Sequence, residues 1–99
     1  MRVYLDNAAT TPLDPEVVHA MTDVLSNVYG NPSAQHAIGR SAKGILETSR
    51  RTIAHLINAK PSEILFTSGG TEADNIVIRS SVFDLGVKHI ITSPIEHHA

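Results

Sequence analysis

Three short stretches carry residue types suited to chemistry. In the first, Ser68-Gly69-Gly70-Thr71 stands where an apolar run hands over to a helix-forming segment. A helix N-terminus offers unpaired backbone N–H groups and the positive end of its dipole. Glycine lets that backbone approach an anion closely, and a Thr hydroxyl adds a donor, so the assembly suits a phosphate. The spacing is neither that of a Walker loop, which needs Gly-x-x-x-x-Gly-Lys, nor that of the three-glycine dinucleotide fingerprint. A plain cap also fits: Thr71-Glu72-Ala73-Asp74 follows the capping-box order, with Asp in place of the usual Glu. A capped helix can still bind an anion, so both readings stay open on this stretch.

The second stretch is Glu96-His97-His98, just after another apolar run. An imidazole there can stack on a planar cofactor, act as a base or ligate a metal, and a solvent-facing loop histidine is the plain alternative. Metal is the weaker chemistry, because adjacent histidines point in different directions and spacing places no third ligand. A module assembled from His36, His89, His97 and His98 is the form a metal site would take. The third stretch, from Gly30 to Arg40, is a dense polar loop holding Asn31, Ser33, His36 and Arg40. It can line a site or merely connect two helices, and composition favours the connector.

The elements that must position these residues follow from periodicity and breakers. Val3-Tyr4-Leu5 reads as a brief extended arm before a turn-rich loop. Asp14-Pro15 has the form of an N-cap followed by proline at the first helical position. Val17, Met21, Val24, Leu25 and Val28 then recur at helical spacing, and Gly30-Asn31-Pro32-Ser33 ends that helix. A second helix is expected from about 42 to 58, with Ala42, Ile45, Leu46, Ser49, Ile53, Leu56 and Ile57 as its inner stripe, stopped by Lys60-Pro61. Glu63 to Thr67 reads as a buried strand, Thr71 to about Phe83 as a helix, and Lys88 to Thr92 as another strand. Strand, helix and strand with short loops make a βαβ unit, hence a parallel sheet with a right-handed crossover. Such a sheet needs helices on both faces and more than two strands, so the 99 residues read as the front of a larger α/β domain.

Composition excludes several classes. With 99 residues, 41% hydrophobic and 18% charged, the chain has room for at most one small globular domain. A formal net charge of −2, with both signs interspersed, supplies no basic stripe for direct nucleic-acid binding. No cysteine is present, so neither a disulfide framework nor Cys-ligated metal is available. The first residues hold no apolar run long enough for a secretory signal or a membrane span, which makes a cytoplasmic location the expectation.

Taken together, "YLDNAATTPLDP", "GNPSAQHAIGR", "EILFTSGGTEADN" and "HIITSPIEHHA" resemble the N-terminal part of cysteine desulfurases, pyridoxal-phosphate enzymes of the class V aminotransferase group. The resemblance spans essentially the whole chain, in the family's order and spacing. It implies an aspartate-aminotransferase-like fold of type I, with a mostly parallel sheet flanked by helices and incomplete here. Residues 1–14 would form an N-terminal arm and residues 15–99 the beginning of the cofactor-binding large domain. It further implies that Gly70 (N–H) and Thr71 (N–H and hydroxyl) hold the phosphate of pyridoxal 5′-phosphate. His97 would stack on the pyridine ring and assist proton transfer, with catalytic as well as cofactor-binding duty. Asn7, Ala8, Thr10, Asn31 and His36 would lie near the substrate side, and no metal is implied.

The implied reaction takes L-cysteine to L-alanine and passes sulfur as a persulfide to an enzyme cysteine, for iron–sulfur clusters or thiolated tRNA. Sulfur-acceptor or scaffold proteins are the implied partners, and the full-length form is a homodimer. Lys43, Lys60 and Lys88 do not match the family's Schiff-base lysine. That lysine and the sulfur-accepting cysteine are expected beyond residue 99, so these residues alone should not catalyse the reaction. The alternatives are another class V enzyme, a selenocysteine lyase or an aminotransferase, and a non-catalytic truncated remnant.

Overall fold

The computed structural model describes residues 1–97 and divides into two units, Met1–Pro61 and Ser62–Ala99. His98, the second histidine of the terminal pair, lies outside the described residues.

In the first unit, helix α1 spans Pro15–Asn27. Asp14 caps it as its sequence suggests: the carboxylate accepts the Glu16 N–H at 2.8 Å, and Pro15 takes a position whose missing N–H costs nothing. Helix α2 spans Ala37–Leu56, starting five residues before the expected position 42. Two glycines explain the earlier start. A Cβ on Gly39 would come within 2.5 Å of the Ala34 carbonyl oxygen and 2.7 Å of that of Asn31, and one on Gly30 within 2.4 Å of the Ile38 carbonyl oxygen. The 30–35 turn therefore lies directly on the first turn of α2. Gly39, which reads locally as a breaker, is helical because only a residue without a side chain fits that approach.

The other end of α2 also differs from expectation. Asn58 adopts φ 55°, the Ala59 N–H reaches the Ala54 carbonyl at 2.8 Å and the Asn58 N–H reaches that of His55 at 3.2 Å. This Schellman closure turns the chain before Lys60-Pro61 is reached. Ala42 and Ala54, both on α2, are the buried apolar residues of the unit among those described.

The second unit holds a 3-10 turn, completed at Glu63 (Pro61–Glu63), and helix α3, Gly70–Phe83. Beyond α3 the chain reverses at Gly86, φ 68°, where the Val87 N–H returns to the Ser81 carbonyl at 2.9 Å. The expected strands at Glu63–Thr67 and Lys88–Thr92 are corrected: neither run forms a strand, and no sheet is present among the described residues. Parallel strands need a partner for every second backbone group, and two short runs make at best a marginal ladder. No described residue of this unit is buried. Without a covered face, apolar patterning has nothing to hold it in register.

Candidate functional site

The turn entering α3 is built by side chains reaching across two glycines. Gly69 occupies the cap position and supplies no side-chain bond. In its place Glu72 Oε2 accepts the Ser68 N–H at 2.6 Å and the Ser68 hydroxyl at 2.7 Å. The Thr67 hydroxyl donates to the Gly69 carbonyl at 3.2 Å, and the same carbonyl accepts the Ala73 N–H at 3.1 Å. These bonds hold the Glu72 carboxyl below its ordinary range, the Ser68 N–H being the larger cause and the hydroxyl the smaller. The capping-box assignment is thus corrected. The acid that reaches back is Glu72 rather than Asp74, and it takes the N–H and hydroxyl of Ser68, the residue before the Gly69 cap, so no capping box stands on Thr71. Glycine concealed this in the sequence, because it carries no oxygen of its own to mark the cap.

What the latch leaves open matters as much as what it closes. The N–H groups of Gly70, Thr71 and Glu72 have no hydrogen-bond partner among the described residues, nor does the Thr71 hydroxyl. A Cβ built on Gly69 or Gly70 meets nothing within 4 Å. Gly69 is extended (φ 168°, ψ −179°), and neither residue is in the left-handed region. Local packing and backbone geometry therefore give no reason for glycine here, unlike at Gly39. Convergent donors beside open space suit a bound anion.

His97 lines a cleft of about 470 Å³ with Asp74, Val77, Ile78, Ile91 and Glu96. The carboxylate of Glu96 accepts the Ser93 hydroxyl at 3.0 Å. Sequence reasoning missed Asp74 as a wall of this cleft; its position one turn past Gly70 was the available signal. Gly70 and Thr71 are not among the residues lining this cleft, whereas Asp74, one turn further along α3, is.

The remaining candidates belong to the first unit. Asn7 and Ala8 form a turn in which the Ala9 and Thr10 N–H groups return to the Asp6 carbonyl at 3.1 and 3.3 Å. The Thr10 hydroxyl shares a 2.5 Å hydrogen bond with the Tyr4 hydroxyl. Asn31 Oδ1 accepts the Ser33 N–H at 2.9 Å, an Asx turn. His36 is the N-cap of α2, its Nδ1 accepting the Gly39 N–H at 3.3 Å. Arg40 returns to the Gln35 carbonyl. Asn31 and His36 are thus brought into one locally braced loop, and in each one side-chain atom is committed to shaping it.

Comparison with known proteins gives a consistent result. The aminotransferase class-V family profile matches residues 3–99. The chain is 52% identical over 99 residues to the cysteine desulfurase IscS of Dictyoglomus turgidum, covering 98% of this chain and 25% of that protein. It is 51% identical over 81 residues to the selenocysteine lyase of Rattus norvegicus, covering 82% of this chain and 19% of the lyase. With the selenocysteine lyase of Bos taurus it is 41% identical over 115 residues, covering 97% of this chain and 26% of that protein. The chain therefore spans a quarter or less of some of these curated relatives and little more of the rest.

Proposed function

The chain belongs to the aminotransferase class-V family, and from that premise we propose that it is part of a cysteine desulfurase, the part that grips the phosphate of pyridoxal 5′-phosphate. The family is of the pyridoxal-phosphate type I fold. In this reading residues 1–14 form an arm, residues 15–99 begin the large domain, and 63–67 and 88–92 become parallel strands once neighbouring strands complete their ladders.

Identity does not separate the two, 52% for the Dictyoglomus desulfurase against 51% for the rat lyase; alignment length with the bovine lyase is what favours the desulfurase. The Dictyoglomus desulfurase aligns over 99 positions, whereas the bovine lyase needs 115 to match nearly all of a 99-residue chain. The lyase alignment thus contains inserted residues that this chain lacks.

The turn entering α3 supports the cofactor assignment, since its free donors and open glycine face fit a phosphate. Gly70 would donate through its N–H, and Thr71 through N–H and hydroxyl. When bound, the cofactor supplies an electron sink for bonds at the substrate α-carbon. His97 would flank its ring and carry a proton at an imidazole nitrogen. On the substrate side stand Asn7, Ala8, Thr10, Asn31 and His36. His36 has its Nδ1 committed to the α2 cap, which leaves Nε2–H as its donor. Asn31 has its oxygen committed to Ser33, which leaves its amide N–H groups. The proposed substrate is L-cysteine and the product L-alanine. Because these 99 residues hold no cysteine, the thiol that takes the sulfur must come from elsewhere, with iron–sulfur assembly proteins or thiolated tRNA synthesis downstream. A cytoplasmic homodimer completes the reading; among the described residues no helix is long and apolar enough to cross a membrane.

The test is substrate choice by the native protein, captured with an antibody against this segment. Alanine should appear from L-cysteine together with sulfide or a protein persulfide. Alanine from L-selenocysteine alone would overturn the desulfurase assignment in favour of the lyase. No bound cofactor and no alanine from either would leave a non-catalytic role.

A further inference from the structure

We propose that Glu72 is a positioning residue for the phosphate cradle: by latching Ser68 across Gly69-Gly70, it aims the Gly70 and Thr71 donors at the anion. The inference rests on the cofactor reading given above. Two consecutive glycines have more backbone freedom than any other pair, so the direction of the amides that follow is poorly determined by the chain itself. Gly69 brings no side chain to restrain them. Glu72 Oε2 closes the loop from the far side, taking both Ser68 donors at 2.6 and 2.7 Å. The Thr67 hydroxyl restrains the Gly69 carbonyl from the near side. Donors fixed before the ligand arrives need no ordering when it binds, which is how preorganisation raises affinity.

Charge by itself predicts the opposite sign. A carboxylate one residue from the proposed phosphate donors repels the anion, so deleting it should strengthen phosphate binding if the latch has no role. The two accounts separate experimentally, because the latch acts only on ligands that carry the phosphate.

The experiment uses the native full-length protein stripped of cofactor, and compares binding of pyridoxal 5′-phosphate with binding of pyridoxal, which lacks the phosphate. Glu72→Ala should lower affinity for the phosphorylated ligand about tenfold, the scale of lost hydrogen bonds to a charged group, and leave pyridoxal unchanged. Glu72→Gln keeps an acceptor in place and should stay within about twofold of the unmodified protein. An unchanged or increased phosphate preference in Glu72→Ala overturns the proposal, as do equal effects of the two substitutions. A parallel fall in both ligands indicates general loss of structure and also overturns it. Should Glu72→Ala not fold, Glu72→Asp keeps the charge but is one methylene too short to reach; full phosphate preference in that variant overturns the latch. Unmodified protein that binds neither ligand removes the cofactor reading itself, and this proposal with it.

Discussion

At Glu72 a single carboxylate oxygen serves two donors on Ser68, and the consequence is a defined pH response. Those bonds, the Ser68 N–H first and its hydroxyl second, hold the folded-state pKa of Glu72 below the ordinary carboxylate range. A depressed folded value means the stabilisation is complete above the unfolded value and is lost as pH falls through the folded one. The contribution to the N-terminal turn of α3 should therefore be whole at neutral pH, begin to fall as pH enters the ordinary glutamate range, and be gone only below the depressed folded value. Amide exchange at Ala73, followed from neutral to acidic pH, checks this, and Glu72→Gln should flatten that response. Protection at Ala73 that is the same in neutral and acidic solution would mean the two bonds do not persist in solution. His36 and Asn31 teach a related point. Both were legible as polar loop residues with chemistry to offer, but which of their atoms are committed to the backbone was not. That depends on how the 30–35 turn meets α2, and local residue types do not encode it.

Helix boundaries are where element-scale packing outweighed local preference. The Asp14-Pro15 start of α1 could be read directly, because cap and proline act within one turn. The start of α2 could not, since Gly39 acts through its approach to Ala34 and Asn31. Gly39→Ala forces a Cβ to 2.5 Å from a backbone oxygen, and should cost about 1–3 kcal/mol of stability, as overpacking does. Gly44 lies in the same helix with nothing within 4 Å of the added Cβ. Gly44→Ala should therefore stabilise by roughly 0.5–1 kcal/mol through backbone entropy. Denaturant midpoints of the two variants in the full-length protein check the pair, and equal effects would refute the packing account. At the end of α2, Asn58 holds a left-handed conformation. Asn58→Val should cost about 1–2 kcal/mol, because a β-branched residue resists that region, while Asn58→Gly should be tolerated.

Across the whole molecule, apolar side chains far outnumber the places that cover them. Among the described residues Ala42 and Ala54 are the buried apolar ones, while Met21 and Leu25 on α1 are 52% and 78% exposed and Ile91 in the second unit is 98% exposed. Two alanine methyls are too little apolar burial to hold a domain cooperatively. The isolated 99-residue polypeptide should bind a hydrophobic dye strongly and unfold without a sharp calorimetric transition. A single cooperative transition, with calorimetric and van't Hoff enthalpies equal, would contradict that.

From the sequence alone came the three helices, the first cap and the glycine-rich turn ahead of α3, since each rests on residues within one segment, and the family, through the resemblance of four segments together. Tertiary structure decided that Gly39 is helical and that the two β-prone runs stay unpaired among the described residues, whereas the Glu72–Ser68 closure is a contact within four residues that a glycine cap hid from the sequence. The physical reason is shared. A helix satisfies its own backbone within four residues, and a cap does so within three. A strand depends on hydrogen-bond partners that its own segment cannot supply, and a tight helix–turn contact depends on what lies opposite.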